Sequence, residues 1–241
     1  MKAIAVIPAR LASVRLTRKA LRPIGGVPMI GRVYTAVSQS RLLAEVIVAT
    51  DSEEIFDTCY KHGWHARMTS AKHRSGTERV HEVSAMVGAD VYINVQGDEP
   101  LTRPDHIASL LAVMKNRNVE VGTLKTPAAT IDIANPNAVK VVTDSDGRAL
   151  YFSRATIPFD RDSTHPAYYK HLGLYAYRKE ALDRFVTLPE SSLEKTERLE
   201  QLRFLENGVP IYVGETPYDT IGVDTEEDLQ RVEEILRKQG Q

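Results

Sequence analysis

Short apolar runs alternate with helical-period segments through the first half of the chain. Residues 3–7 are apolar at every position and predict a first strand buried on both faces. Gly25-Gly26 predicts a turn, with Pro28 opening the helix that follows. In that helix Ile30, Val33, Tyr34 and Val37 recur at i, i+3, i+4 and i+7, which puts one face on a sheet. Residues 45–49 read as a second strand, ended by Thr50-Asp51-Ser52, with Ser52 placed to cap a helix carrying Glu53 and Glu54 in its first turn. Residues 66–69 form a short strand, and Val80, Val83 and Val87 mark the inner face of a helix capped by Ser75 or Thr77. Residues 89–95 predict a further buried strand, closed by Gly97 and by Pro100, which has no N–H to give a ladder. Ile107, Leu110, Leu111 and Met114 predict a helix, and residues 120–124 another strand. Strands alternating with helices in this way predict an α/β fold on a mostly parallel, doubly wound sheet.

The second half reads differently. Residues 138–142 and 148–152 flank Asp144-Ser145-Asp146-Gly147 and predict a hairpin. Residues 170–177 form a strand carrying His171, Tyr175 and Tyr177. Residues 194–207 predict one helix ended by Gly208, with Leu199, Leu202 and Leu205 inward and Glu197, Glu200 and Gln201 on the other face. Residues 209–213 predict a strand. Thr225 then caps a last helix, with Glu226, Glu227 and Asp228 in its first turn and Leu229, Val232 and Leu236 inward.

Composition narrows the classes. The chain has 241 residues, 42% hydrophobic and 26% charged, which fits one large α/β domain or two small ones with a full core. A formal net charge of -1 argues against a nucleic-acid binder. No apolar run has the length of a membrane span, and the start of the chain reads as a strand, not a signal peptide. The single Cys59 has no internal partner, which predicts a reducing, cytoplasmic setting.

Candidate chemistry clusters at predicted strand ends. In an open α/β sheet, ligands bind beyond the carboxyl ends of the strands. After the first strand, residues 8–22 hold Arg10, Arg15, Arg18, Lys19 and Arg22 and no acid, a charge pattern suited to a triphosphate. The loop is neither a GxxxxGK[ST] phosphate loop nor a GxGxxG fingerprint. Residues 70–79 form a polar loop whose Ser75, Gly76 and Thr77 can approach a flat base closely. Asp98 follows Gly97, and Asp224 closes Gly222-Val223-Asp224; two such carboxylates can share a Mg²⁺ against phosphate oxygens. Asp51 reads as a strand terminator, and His62 and His65 beside Trp64 as packing or surface residues without a third metal ligand.

These motifs resemble a known family. Ile7-Pro8-Ala9-Arg10, Arg15-Leu16, Lys19, Ala49-Thr50-Asp51, Ser75-Gly76-Thr77-Glu78-Arg79, Asn94-Val95-Gln96-Gly97-Asp98-Glu99-Pro100, Ala149-Leu150-Tyr151-Phe152-Ser153-Arg154, Lys170-His171-Leu172-Gly173, Leu199-Glu200-Gln201-Leu202 and Gly222-Val223-Asp224-Thr225 look like those of the 3-deoxy-manno-octulosonate (Kdo) cytidylyltransferases, from the first strand to the last helix. The resemblance implies a Rossmann-like nucleotidyltransferase fold, one domain over 1–241, with a β-rich insertion at about 138–178 used for dimerisation. It implies CMP transfer from CTP to the anomeric hydroxyl of Kdo by in-line displacement, with Mg²⁺, in a cytoplasmic homodimer serving lipopolysaccharide synthesis. Arg10, Lys19, Asp98 and Asp224 are then the catalytic set, Asp98 and Asp224 the metal ligands. Ala9, Arg10, Arg15, Lys19, Ser75, Gly76, Arg79 and Gln96 bind the nucleotide, and Arg154, His171, Tyr175, Glu200 and Gln201 face the sugar. Rival readings are a cytidylyltransferase for a related sugar such as 8-amino-Kdo, a glycosyltransferase of similar fold, and a non-catalytic nucleotide sensor. One departure stands out. The family's Arg-Leu-Pro-Gly-Lys-Pro-Leu loop is here Arg15-Leu16-Thr17-Arg18-Lys19-Ala20-Leu21, which keeps the lysine and loses the residues that shape the loop.

Overall fold

A computed structural model describes residues 1–11 and 16–238. In chain order its elements are β1 (Ala3–Ala9), β2 (Pro23–Ile24), β3 (Val27–Pro28), α1 (Met29–Ser38), β4 (Glu45–Thr50), α2 (Glu53–His62), β5 (Ala66–Met68), α3 (Gly76–Met86), β6 (Val91–Asn94) and α4 (Pro104–Val113). These are followed by β7 (Val121–Pro127), α5 (Thr130–Ile133), β8 (Lys140–Thr143), β9 (Ala149–Ser153), β10 (Tyr169–Tyr177), α6 (Lys179–Thr187), α7 (Ser192–Glu197), α8 (Leu202–Glu206), β11 (Ile211–Glu215) and α9 (Glu226–Lys238). The chain forms two compact units, one of Met1–Ala108 with the segment from Thr220 onward, the other of Ser109–Asp219.

In the first unit four parallel strands lie in the order β5-β4-β1-β6. By chain order that is 3-2-1-4, so the sheet reverses direction of growth between β1 and β6. The carboxyl ends flanking such a reversal form the crevice where α/β sheets take ligands. β1 is buried almost throughout, as its unbroken apolar run requires. Gly25 and Gly26, with φ of 54° and 78°, make the two-residue turn between β2 and β3, so Pro28 closes a small hairpin and α1 begins one residue later than expected. Leu229, Val232 and Leu236 of α9 are buried with Leu16, Ile24, Met29 and Val223 in one cluster. The periodicity of the last helix therefore reports its packing correctly.

The second unit departs from the sequence reading in three places. β7 pairs parallel with β11, in keeping with a mostly parallel sheet, and antiparallel with β10, while β8 forms the expected hairpin with β9 and touches β10 at Lys170↔Lys140. The helix expected over 194–207 is two short helices, separated where Arg198 takes a left-handed φ of 55°. The break turns Gln201 inward, buried beside Leu199 and Leu202, instead of onto an exposed face. α6, with Ala181, Leu182 and Phe185 inward, has no counterpart in the sequence reading. The unit is also wider than the 138–178 stretch, because the antiparallel partner of β10 is recruited from residues before it.

Candidate active site

Ala9 ends β1 buried and Arg10 follows it half-buried. A guanidinium at this strand end has the charge and fork geometry that suit an anion. Beside it, Val95 N donates to Val6 O at 3.0 Å and carries the β6 ladder to the crevice. Gly97 is required there by closeness. A Cβ on it would lie 2.9 Å from the Pro8 carbonyl oxygen. Only a residue without a side chain lets the chain turn across the end of β1 and present Asp98.

Asp224 reaches the same place by a different route. Val223 N donates to Asp98 O at 2.9 Å, and the Val223 side chain is anchored in the cluster under α9. Thr225 Oγ1 accepts from Asp228 N at 3.2 Å while Asp228 Oδ2 accepts from Thr225 N at 2.9 Å and Asp224 N at 3.0 Å. This reciprocal cap fixes the backbone at the start of α9. The third arm is the basic loop. Buried Leu16 pins it, Arg18 turns left-handed with φ 56°, and a 3₁₀ turn at Lys19–Leu21 sends the lysine inward. Lys19 Nζ donates to Asp98 Oδ2 at 2.5 Å and to Asp224 Oδ1 at 2.9 Å. Partial burial works against the lysine's charge. The attraction of Asp98, with hydrogen bonds to both aspartates, outweighs it and holds the Lys19 pKa above its ordinary value.

The donor set fits a hard divalent cation. The two accepting oxygens are at most about 5.4 Å apart, the sum of their distances from Nζ. Two carboxylates and one ammonium leave a formal charge of about −1. Among the described residues no group of three His, Cys, Asp or Glu side chains could cage a metal alone. The set suits an ion such as Mg²⁺, which commonly takes one or two protein carboxylates and completes its shell with phosphate and water.

The expected base-binding loop lies in the same unit. Ser75 Oγ accepts from Glu78 N at 3.2 Å and caps α3, and Gly76 packs beside Pro8 and Asn94. Glu82 Oε2 accepts from Ser70 N at 2.9 Å and contacts His73, while Glu78 Oε2 accepts from Arg74 N at 2.7 Å. The loop is thus strapped to α3 by two carboxylates that the sequence reading passed over, although Ser75-x-x-Glu78 has the spacing of a capping pair. Gln96 is half-buried just beyond β6. Arg79 differs from expectation in its geometry. Its side chain is fully buried, bonded to Thr69 and, at 3.0 Å, to Asp51, so it braces the loop from beneath. Asp51 accordingly spends its carboxylate on Arg79. Arg15 lies outside the described residues. His62 stacks on Trp64 with centroids 4.4 Å apart and His65 pairs with Glu45 at 2.6 Å, as packing residues do.

The five residues expected to face the sugar all belong to the second unit. His171 Nε2 is 2.9 Å from Thr123 Oγ1, whose hydroxyl donates to Leu174 O at 2.8 Å, so the imidazole is the donor to Thr123. Burial pushes the His171 pKa down to about 3 and keeps the ring neutral. A shift in register between Leu172 and Tyr175 leaves His171 and Tyr175 neighbours, their rings 5.4 Å apart. Gln201 Nε2 is buried without a partner among the described residues, and Glu200 is half-buried. Arg154 is committed to main chain. It donates to Glu197 O at 2.7 Å, Pro136 O at 3.0 Å and Arg198 O at 3.4 Å. Lys140, fully buried, donates to the carbonyls of Asn135, Ala138 and Arg154 at 2.8, 2.6 and 2.7 Å. Glu197 accepts from Ser153 Oγ at 2.6 Å and Arg154 N at 3.0 Å. Neither Lys140 nor Glu197 carries a sequence signal, since each is an ordinary charged residue until these loops meet.

A 3-2-1-4 parallel sheet with a basic loop after its first strand and an acidic pair at its reversal point defines a nucleotidyltransferase. The comparisons place it further. A family profile described as Cytidylyltransferase matches residues 4–214, and the chain belongs to that family. A 3-deoxy-manno-octulosonate cytidylyltransferase of Koribacter versatilis is 69% identical over 98% of this chain and 91% of its own. The protein of that name from Acidobacterium capsulatum is 55% identical over 98% of this chain and 97% of its own. A solved structure of CMP:2-keto-3-deoxy-manno-octonic acid synthetase complexed with CTP is 42% identical and covers 99% of this chain and 100% of its own, with a TM-score of 0.95.

Proposed function

We infer that this chain transfers CMP from CTP to the anomeric hydroxyl of Kdo and releases pyrophosphate. The observation that carries this reading is the meeting of Lys19, Asp98 and Asp224 at the carboxyl ends of β1 and β6, in a chain closely similar to a synthetase solved with CTP. The hydroxyl oxygen bonds to the α-phosphorus as the bond from that phosphorus to the β-bridging oxygen breaks, and the hydroxyl proton passes to solvent. Arg10 and Lys19 hold the triphosphate oxygens and take up the charge that grows on departing pyrophosphate. Ala9, Ser75, Gly76 and Gln96 line the nucleotide, and Arg79 stiffens the loop that does so. Asp98 and Asp224 are the residues that would hold Mg²⁺. When bound, the ion withdraws charge from the phosphate oxygens and favours attack at phosphorus. Neutral His171, with Tyr175, Glu200 and Gln201, offers hydrogen bonds to sugar hydroxyls. Arg154 serves the sugar acid by tying together the loops at 136 and 197–198.

The finer expectations belong to the same reading. Exposed Ile131, Leu150 and Phe159 on the second unit support a homodimer. One free, buried cysteine supports a cytoplasmic enzyme, and its product would feed lipopolysaccharide synthesis.

The test is pyrophosphate release with CTP, Kdo and Mg²⁺, with the 8-amino sugar as a parallel substrate. The expected result is rapid release with Kdo and slower release with the amino sugar. Asp98→Asn and Asp224→Asn should each lower turnover at least about 100-fold, with melting curves unchanged. Release at the wild-type rate from either variant would refute the assignment of those carboxylates.

A further inference from the structure

Two carboxylates are held side by side at the start of α9 and beyond the end of β6 by contacts of their own backbones. The Val223 N to Asp98 O bond and the burial of Val223 fix their backbones, and the Asp228 cap fixes Asp224 again. Like charges at this spacing repel unless a cation stands between them. Lys19 Nζ stands there, at 2.5 and 2.9 Å from one oxygen of each. Asp98 and Asp224 would be the residues to hold a Mg²⁺ ion, which would draw on the same two carboxylates. Ammonium and metal therefore compete for the negative charge of this pair. The lysine ends a flexible four-carbon stem, and its three donors suit phosphate oxygens as well as carboxylates.

We propose that Lys19 is an internal counter-ion, occupying the cation position of the ligand-free protein and yielding it when the nucleotide's triphosphate draws the ammonium away. This rests on the reading that Asp98 and Asp224 are the metal ligands. Its consequence is an order in binding. Metal alone binds weakly because it must displace Lys19, while metal and triphosphate favour each other because the triphosphate supplies the lysine with new acceptors. Such favour is reciprocal. The lysine then has two duties, one before the nucleotide arrives and one during pyrophosphate departure.

The experiment titrates Mn²⁺ alone, without nucleotide, and reads free ion by its paramagnetic resonance signal at fixed pH. Wild type, Lys19→Met, Lys19→Gln, Lys19→Arg and the double variant Lys19→Met/Asp98→Asn are compared. Lys19→Met should bind Mn²⁺ at least about tenfold more tightly than wild type. Lys19→Arg, which keeps the charge, should stay within about threefold. Adding Asp98→Asn should remove the gain. A second readout is melting temperature. Mn²⁺ should raise that of Lys19→Met by more than that of wild type, and if either neutral variant folds only with Mn²⁺ present the counter-ion role is supported. Neutral variants that bind Mn²⁺ no more tightly than wild type, while Asp98→Asn still weakens binding, would overturn the counter-ion and leave the metal assignment standing. Binding indifferent to Asp98→Asn would overturn both.

Discussion

Arg18 holds a backbone conformation that glycine would adopt without cost. Its φ of 56° lies in the left-handed region, where a Cβ crowds the following carbonyl. It stands where the resembled loop has its glycine, one residue before the lysine, so the chain keeps the turn although it has lost the residue that makes it easy. Arg18→Gly should therefore raise stability, by up to about 1 kcal/mol, because relief of strain exceeds the entropy glycine adds to the unfolded chain. Loss of the exposed pair with Glu54 subtracts little. Arg18→Val should cost more than about 1 kcal/mol, since a β-branched side chain tolerates that region worst. Equilibrium urea unfolding measures both, and a less stable Arg18→Gly would contradict the account. The three converging residues were readable from sequence because each carries a local sign. Lys19 sits in a loop with no acid, Asp98 follows a glycine at a strand end, and Asp224 precedes a capped helix. Arg79 and Arg154 carry no such sign. A guanidinium binds whichever carbonyls and carboxylates the fold brings to it, and Asp51 and the Glu197 carbonyl arrive from distant segments.

At the scale of elements, β10 shows both what periodicity reveals and what it hides. Its aromatic run predicts a strand, yet the register shift after Leu172 that sets His171 against Tyr175 depends on pairing with β7. The broken helix is similar. Its apolar positions fit one helix, and the left-handed turn at Arg198 has neither glycine nor asparagine to announce it. α9 is the opposite case, since Thr225-x-x-Asp228 and three inward positions are written out in order and all are realised. Burial of His171 in β10 has a measurable consequence. In the fold its pKa is depressed to about 3, against an ordinary value of 6.5. Between those pH values the unfolded chain binds the extra proton, so His171 lowers stability progressively as pH falls from about 6.5 toward 3. His171→Gln should therefore show a flatter decline of melting temperature over that window than wild type, though it loses stability at neutral pH. Parallel slopes would mean that the imidazole is already charged in the fold. Activity between pH 6 and 8 should show no titration that disappears with this variant.

Across the whole molecule, alternation of strands and helices was enough to read an α/β class, and the four parallel strands of the first unit follow from it. The reach of the second unit was not readable, because membership is decided by which strand pairs with β10, a choice made between segments far apart in sequence. Three large apolar side chains of that unit lie open to solvent. Phe159 is 85% exposed, Ile131 74% and Leu150 58%. Single exposed apolar residues are ordinary, and these three mark an interface only where an association buries them together. A stable association would bury roughly 800 Å² on each partner, well beyond what these side chains supply, so they would be only part of the contact. Light scattering on the purified chain should give about twice its 26.9 kDa at micromolar concentration. Phe159→Asp combined with Leu150→Asp should shift the mass toward a single chain, because a charge buried without a partner costs several kcal/mol at an interface. The double variant should keep the melting behaviour of a folded protein, since both positions face solvent in one chain. A wild-type mass of 26.9 kDa at every concentration would remove the homodimer from the account and leave the chemistry of the first unit untouched.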